Sequence, residues 1–159
     1  LNYARHVISG ETRETFLRRS VLLYDAMAWV NKNLSGNDKI LTVERQLVYL
    51  ANIPVYYSHM ATEALIENYP KASDPVKFYG QLRRLGITHL LARAKQLESG
   101  DKAPTSGYKA LRNMLVRARC MEPVKILYIG SGSSRTLPTL IRSSVRIKIY
   151  ALRPDLCRL

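Results

Sequence analysis

The spacing of apolar residues along the chain predicts two long helices in its first half. In residues 12–33 apolar side chains recur every three or four positions, which places them on one face of a helix. Thr12 is the predicted N-cap, because its hydroxyl can accept a hydrogen bond from an amide of the first turn. Residues 76–85 repeat the helical spacing and stop at Gly86, a residue that readily adopts the left-handed conformation found at helix ends.

Shorter apolar runs between and after these helices predict strands. Residues 39–43, 87–92 and 124–129 are rich in branched and aromatic side chains and are bounded by turn-forming residues. Residues 108–119 predict a further helix. Residues 145–152 predict the last strand, and their strict alternation of apolar and polar positions is typical of an edge or half-exposed strand.

Alternating helices and strands indicate the α/β class. We expect a three-layer Rossmann-like sandwich whose sheet is mostly parallel and ends in an antiparallel strand. A chain of 159 residues suits a single domain, so residues 1–159 are assigned to one α/β unit, with residues 1–11 leading into it.

The net charge of +13 is concentrated towards the end of the chain. Residues 1–100 carry 13 Lys and Arg against 9 Asp and Glu, whereas residues 101–159 carry 12 against 3. Such an excess indicates a polyanionic neighbour, for which nucleic acid, anionic lipid or a phosphorylated substrate qualifies, although a solvated basic surface without a partner accounts for it equally well. One basic surface is predicted from the arginines of the last third: Arg112, Arg117, Arg119, Arg135, Arg142 and Arg146.

Two cysteines, Cys120 and Cys157, have no spacing typical of a metal site, and the sequence leaves open whether they pair. The carboxylates are scattered singly, and no Ser, His and Asp follow one another in an order typical of a catalytic triad. We therefore predict no catalytic residue, no metal site and no cofactor in this chain.

The apolar, Tyr-rich residues 47–58 predict a further strand region, which Asn52-Ile53-Pro54 divides because proline cannot donate to a sheet. The best candidates for binding a ligand lie at the end of this region. Tyr57 and His59 lie at its end, and ligands of α/β folds bind at strand ends. Together with Arg45 they could line a pocket for a sugar or a phosphate. The alternative is that Tyr56 and Tyr57 are a core and surface pair, because tyrosines are commonly half-buried.

Gly130 and Gly132 form the second candidate, because a glycine pair directly after an apolar strand is typical of nucleotide-binding loops. A third glycine is missing, Pro138 interrupts the stretch that should form the next helix, and few residues remain for the rest of such a site. A plain loop between two strands explains the same residues.

An ordered set of short pieces runs through residues 12–92. These are Thr12-Arg13-Glu14-Thr15-Phe16-Leu17, Tyr24, Ala28-Trp29, Asn31, Asn33-Leu34, Lys39-Ile40-Leu41, Tyr49-Leu50, Val55-Tyr56 and Leu82-Arg83-Arg84-Leu85-Gly86-Ile87-Thr88-His89-Leu90-Leu91. Taken together and in this order, they resemble the C-terminal region of bacterial GT-C-type membrane glycosyltransferases. This family includes the dolichyl-phosphate-mannose protein mannosyltransferases and the lipid A aminoarabinose transferases.

The resemblance implies a non-catalytic accessory domain on the periplasmic side of the bacterial inner membrane. Its partners would be the transmembrane portion of the same chain and an anionic lipid or polyprenyl-phosphate sugar, and the chain would be a fragment of a longer membrane protein. Its role would be to help bind the acceptor or the lipid-linked sugar donor. Two other classes stay open: a basic nucleic-acid-binding module, and a small nucleotide-binding enzyme that uses the loop of residues 130–134.

Overall fold

The computed structural model describes residues 10–21, 23–42, 44–57, 74–98, 111–129 and 145–157. Its α-helices are α1 (Arg13–Ser20), α2 (Tyr24–Asn33), α3 (Pro75–Arg84) and α4 (Ala94–Glu98). Its strands are β1 (Ile40–Thr42), β2 (Val55–Tyr57), β3 (His89–Arg93), β4 (Met121–Ile129) and β5 (Val145–Leu152). Other helical segments are 3-10 helices at Arg45–Leu50 and Pro154–Leu156 and a π-helix at Met114–Ala118. Among these residues no helix is both long and apolar enough to span a bilayer.

The five strands form one mixed sheet in the order β2-β1-β3-β5-β4. β1 pairs in parallel with both β2 and β3, whereas β5 pairs antiparallel with both β3 and β4. The α/β class and the antiparallel direction of the last strand are therefore confirmed. The sheet is not mostly parallel, because β5 lies between β3 and β4 and makes half of the strand pairings antiparallel.

Of the two alternatives predicted for the last strand, the edge position is wrong, because β5 has a strand on each side. Ile147 and Ile149 are buried on one face of the sheet. Tyr150 and Leu152 are buried on the other face. The half-exposed alternation holds for the first half of the strand, where Arg146 is exposed and Lys148 is partly exposed.

Each face of the sheet carries its own core, because neighbouring residues of a strand point to opposite sides. On the side called here the α2 face, Ile40 and Leu91 pack with α2. On the side called the α3 face, Leu41 and Leu90 pack with α3. The helices thus bury apolar side chains against both faces of the sheet.

The helix predicted over residues 12–33 is interrupted, and the structure has α1 and α2 in its place. Thr12 caps α1 as predicted, accepting a hydrogen bond from the Thr15 amide at 3.2 Å. Leu23 adopts a left-handed backbone with φ of 71° and is only 3% exposed. Few side chains besides glycine adopt that conformation, so the break is held by burial of the Leu23 side chain in the core of the α2 face.

Helix α3 begins and ends within one residue of the predicted bounds, 76–85. The Asp74 side chain accepts a hydrogen bond from the Lys77 amide at 2.9 Å, and Pro75 occupies the first turn, where its missing N–H costs nothing. Gly86 follows the helix with φ of 75°, the left-handed conformation expected of a helix stop.

A disulfide between Cys120 and Cys157 settles the pairing that the sequence left open. Cys120 is fully buried in the core of the α3 face, and its carbonyl accepts a hydrogen bond from the Arg153 amide at 2.9 Å. The Arg153 side chain continues this cross-link with bonds to Glu122 at 2.6 Å and Asp155 at 2.8 Å. The segment after β5 is therefore fastened to the start of β4.

Removing the disulfide should lower the free energy of unfolding. The two cysteines are 37 residues apart, and closing a loop of that size in the unfolded chain stabilises a fold by about 4 kcal/mol. We expect urea unfolding of the Cys120→Ala/Cys157→Ala variant to show that loss relative to the oxidised wild type. In dithiothreitol the two proteins should unfold at nearly the same urea concentration, and a large difference there would mean that the bridge is not the cause.

Candidate functional site at the carboxyl edge of the sheet

The parallel strands β1, β2 and β3 end at one edge of the sheet, called here the carboxyl edge. Thr42, the last residue of β1, pairs with Tyr57, the last residue of β2, and with Leu91 on β3. Ligands of α/β folds bind where the carboxyl ends of such strands meet. This edge is therefore the first place to look for a site.

An ion pair links the ends of β1 and β3 at this edge. The Arg93 guanidinium donates from Nε to Oε1 of Glu44 at 2.6 Å and from Nη2 to Oε2 at 2.8 Å. The Arg93 side chain is 35% exposed and that of Glu44 is 15% exposed. Thr42 is fully buried, and its hydroxyl accepts a hydrogen bond from the Glu44 amide at 3.1 Å. This bond orients the start of the segment that follows β1. The two charges cancel within one fixed, bidentate geometry.

The structure brings part of the predicted ligand set to this edge. Tyr57 lies there, half-buried on β2. Arg45 lies there too, as the first residue of the 3-10 helix that follows Glu44, and the structure describes its backbone only. His59 lies outside the described residues.

The glycine pair also lies outside the described residues, but the strand before it is described. β4 points in the same direction as β3, because both are antiparallel to β5. Its last residue, Ile129, pairs with Val145, so Gly130 directly follows a strand that ends at the carboxyl edge. Gly132 comes two residues later.

The six arginines predicted to form one basic surface do not all lie together. Arg119 precedes the first residue of β4, whereas Arg146 pairs with Tyr128 near its last residue. The strand between them separates their backbones by more than about 20 Å. Arg112 is half-buried in the helical segment before β4, the Arg117 side chain is not described, and Arg135 and Arg142 lie outside the described residues.

A second polar cluster lies at the opposite, amino edge of the sheet. The Thr88 hydroxyl lies 3.1 Å from Oδ1 of Asp38 and 2.9 Å from Nδ1 of His89. The other oxygen of Asp38 accepts hydrogen bonds from the amide and hydroxyl of Ser35 at 2.9 and 3.0 Å. This cluster joins the segment before β1 to the start of β3, so His89 has a structural role here.

Burial and hydrogen bonding set the ionisation of this cluster. Burial alone would raise the pKa of Asp38, but hydrogen bonds from Ser35 and Thr88, with the nearby His89, outweigh it and lower that pKa below its ordinary value. Burial lowers the pKa of His89, and the Asp38 carboxylate only partly offsets that effect. Asp38 is therefore held as the anion and His89 as the neutral imidazole.

Sequence reasoning missed the four residues that make these cross-links: Asp38, Glu44, Thr88 and Arg93. Glu44 and Arg93 each lie at the end of a predicted strand, and two parallel strands end at the same edge. Opposite charges at those two positions were therefore a usable signal. Across the described parts of the chain, no three His, Cys, Asp or Glu side chains are grouped so that they could hold a metal ion.

Comparison with known proteins adds no identification: no family model matches the chain, and no curated protein or solved structure matches it either. The resemblance to membrane glycosyltransferases therefore stays a prediction from the residues quoted above.

Neutralising Glu44 should destabilise the carboxyl edge. Glu44→Gln leaves a half-buried guanidinium without its carboxylate, which we expect to lower the free energy of unfolding by about 1–2 kcal/mol. Glu14→Gln is the matched control, because it breaks an exposed pair with Arg18 on α1 and should change stability by less than about 0.5 kcal/mol. Urea denaturation measures both, and equal effects would show that the Glu44–Arg93 pair is no stronger than a surface pair.

Stability should fall as the solution is acidified below neutral pH. The unfolded chain takes up a proton at His89 near its ordinary pKa of 6.5, while the folded chain resists until a lower pH. The folded state therefore loses free energy as pH falls through the unfolded-state value. Asp38 adds a second loss in more acidic solution, when pH falls towards its lowered folded-state pKa.

The test is urea unfolding of the wild type and His89→Asn over a pH series. Asn can keep a hydrogen bond near the former Nδ1 position but does not titrate. We expect the variant to lose the part of the pH dependence that lies around the ordinary histidine value while keeping the part in stronger acid. Parallel curves for the two proteins would rule out His89 as the source.

Proposed function

We propose that this chain is a non-catalytic accessory domain of a polytopic membrane glycosyltransferase, positioned on the extracytoplasmic side. It would assist binding of the acceptor or of a lipid-linked sugar donor whose chemistry is carried out by the membrane-embedded part. The proposal includes a Rossmann-like three-layer fold, which the packing of helices on both faces of the sheet supports.

The disulfide is the observation that carries the proposed location. Cys120 and Cys157 are bonded to each other, and none of the described cysteines is free. Structural disulfides form and persist in oxidising compartments and are rare where thiols are kept reduced. A bridge that joins the start of β4 to the segment after β5 therefore supports an extracytoplasmic domain.

The polar clusters support an accessory role over a catalytic one. At the carboxyl edge both oxygens of Glu44 accept from one guanidinium, so this carboxylate is fixed as a cross-link. At the amino edge Asp38 accepts hydrogen bonds at both oxygens as well. Groups held in this way position strands, whereas a general base needs an oxygen or nitrogen aimed at a substrate.

The position of β4 argues against a nucleotide-binding enzyme built on Gly130 and Gly132. In a Rossmann fold the glycine loop follows a central strand and leads into a helix and a parallel strand. Here the loop follows β4, the last strand in the sheet order, and the next described strand is the antiparallel β5. The separation of Arg119 from Arg146 likewise disfavours a single basic stripe for nucleic acid.

The intact gene product, expressed in its own host, tests this function. Gly36 is exposed and has open space around it, so a Gly36→Cys variant should fold normally and offer one new thiol. We expect a membrane-impermeant maleimide to label this thiol in intact cells. Labelling only after permeabilisation would contradict the extracytoplasmic location.

A deletion completes the test in the same protein. Removing residues 12–159 should strongly reduce sugar transfer while leaving the membrane-embedded part in the membrane. Transfer that proceeds unchanged, or a gene product without membrane-spanning segments, would contradict the proposed function.

A further inference from the structure

We propose that the β4–β5 hairpin binds the surface of an anionic lipid bilayer through one exposed patch on the α3 face. This surface, called here the hairpin patch, consists of Val124, Ile126 and Tyr128 on β4 and Arg146 and Lys148 on β5. The inference rests on the proposed function only in that it needs a bilayer beside the domain. It adds where and by what chemistry the domain contacts that bilayer.

Strand register places these side chains together. Ile126 pairs with Lys148 and Tyr128 pairs with Arg146. Their neighbour Leu127 packs into the core of the α2 face, so the residues on either side of it point to the α3 face. Val124 stands at the irregularity between Pro123 and Lys125, next to the same row.

The apolar members of the patch are all exposed. Tyr128 is 67% exposed, and Val124 and Ile126 are 41% exposed each. Three such residues on one strand form a contiguous apolar strip rather than scattered exposures. Tyrosine is enriched at the boundary between lipid and water, where its ring lies among the headgroups and its hydroxyl stays hydrated.

Charge complementarity identifies the occupant. Residues 123–153 contain six Lys and Arg and no Asp or Glu. Within the patch, Arg146 is exposed and Lys148 is partly exposed, each directly across from an apolar residue of β4. Basic residues that border an apolar strip are typical of surfaces that bind anionic lipids, because the cations meet the phosphates while the apolar groups enter the interface.

The edge of β4 is poorly suited to pairing with a second copy of the chain. Pro123 has no amide hydrogen to donate, and the register shift between Pro123 and Lys125 interrupts the ladder. Prolines and bulges of this kind are how edge strands avoid joining other strands. We therefore expect a bilayer to contact the patch, rather than a strand of a second copy to pair with β4.

Sedimentation of the 159-residue chain with lipid vesicles tests the charge requirement. We expect binding to vesicles of equal parts phosphatidylglycerol and phosphatidylcholine, weakened by salt, and little binding to phosphatidylcholine alone. Arg146→Gln/Lys148→Gln should weaken binding roughly 20-fold, because each basic residue near an anionic surface contributes about fivefold. The control Arg13→Gln/Lys32→Gln removes the same charge from exposed positions on α1 and α2 and should change binding much less. Equal losses of vesicle binding in the two double variants would show that only the net charge matters and would overturn the proposal.

Fluorescence tests the position of the apolar strip. Tyr128→Trp should show a blue shift with phosphatidylglycerol vesicles and quenching by brominated lipid. Tyr49→Trp, at a position that is 78% exposed in the 3-10 helix after β1, should show neither. The wild type, with Trp29 alone, supplies the background.

Three results would overturn the proposal: equal shifts at both tryptophans, binding to RNA but not to vesicles, or a dimer that Tyr128→Ser dissolves without any lipid binding. A failure of the proposed function would give a different set of results. If Gly36→Cys is shielded from the maleimide in intact cells while the vesicle results hold, the location is wrong and the lipid-binding patch stands.

Discussion

The insertion of β5 between β3 and β4 is the constraint on which the rest of the structure depends. A strand with neighbours on both sides and cores on both faces must bury its side chains in both directions. Ile147 and Ile149 do so on the α2 face, and Tyr150 and Leu152 do so on the α3 face. Without this strand β4 would have no described partner strand, and the core on each face would lose the buried side chains that β5 contributes.

The ends of β5 explain the placement of the covalent and ionic cross-links. At its carboxyl end the Leu152 amide donates to the Thr88 carbonyl, and the next residue, Arg153, reaches Cys120 and Glu122. The disulfide then joins Cys157 to the start of β4. A strand that arrives last in the sequence and lies near the middle of the sheet closes long loops, and such loops are costly in chain entropy. A covalent bridge across one of them offsets part of that cost.

Local pattern predicted the strands β1, β3, β4 and β5, but residues 47–50, read as part of a strand region, belong to a 3-10 helix. Long-range pairing was not predicted. Gly86 and Thr12 act within a turn or two of their own positions, so their roles were predicted from the sequence. The position of β5 in the sheet could not be predicted from its sequence. An edge strand and an interior strand with one partly exposed face show the same alternation over eight residues. The break at Leu23 was missed for a related reason: a leucine favours helix locally, and only burial in the α2-face core holds it left-handed. The Glu44–Arg93 pair joins residues 49 positions apart, a contact that single-sequence periodicity does not encode.

The candidate site and the hairpin patch share an end of the molecule but lie on different faces of the sheet. Thr42 and Arg93 belong to the α2 face by strand alternation, whereas Tyr128 and Arg146 belong to the α3 face. Arg93 and Leu127 both pair with Ile147, so the two surfaces meet near the carboxyl edge. A bilayer against the hairpin patch would therefore hold this edge near the headgroups without covering the α2 face. That geometry suits an accessory domain, because a lipid-linked phosphate at the headgroup level and a water-borne acceptor would approach the carboxyl edge from different sides.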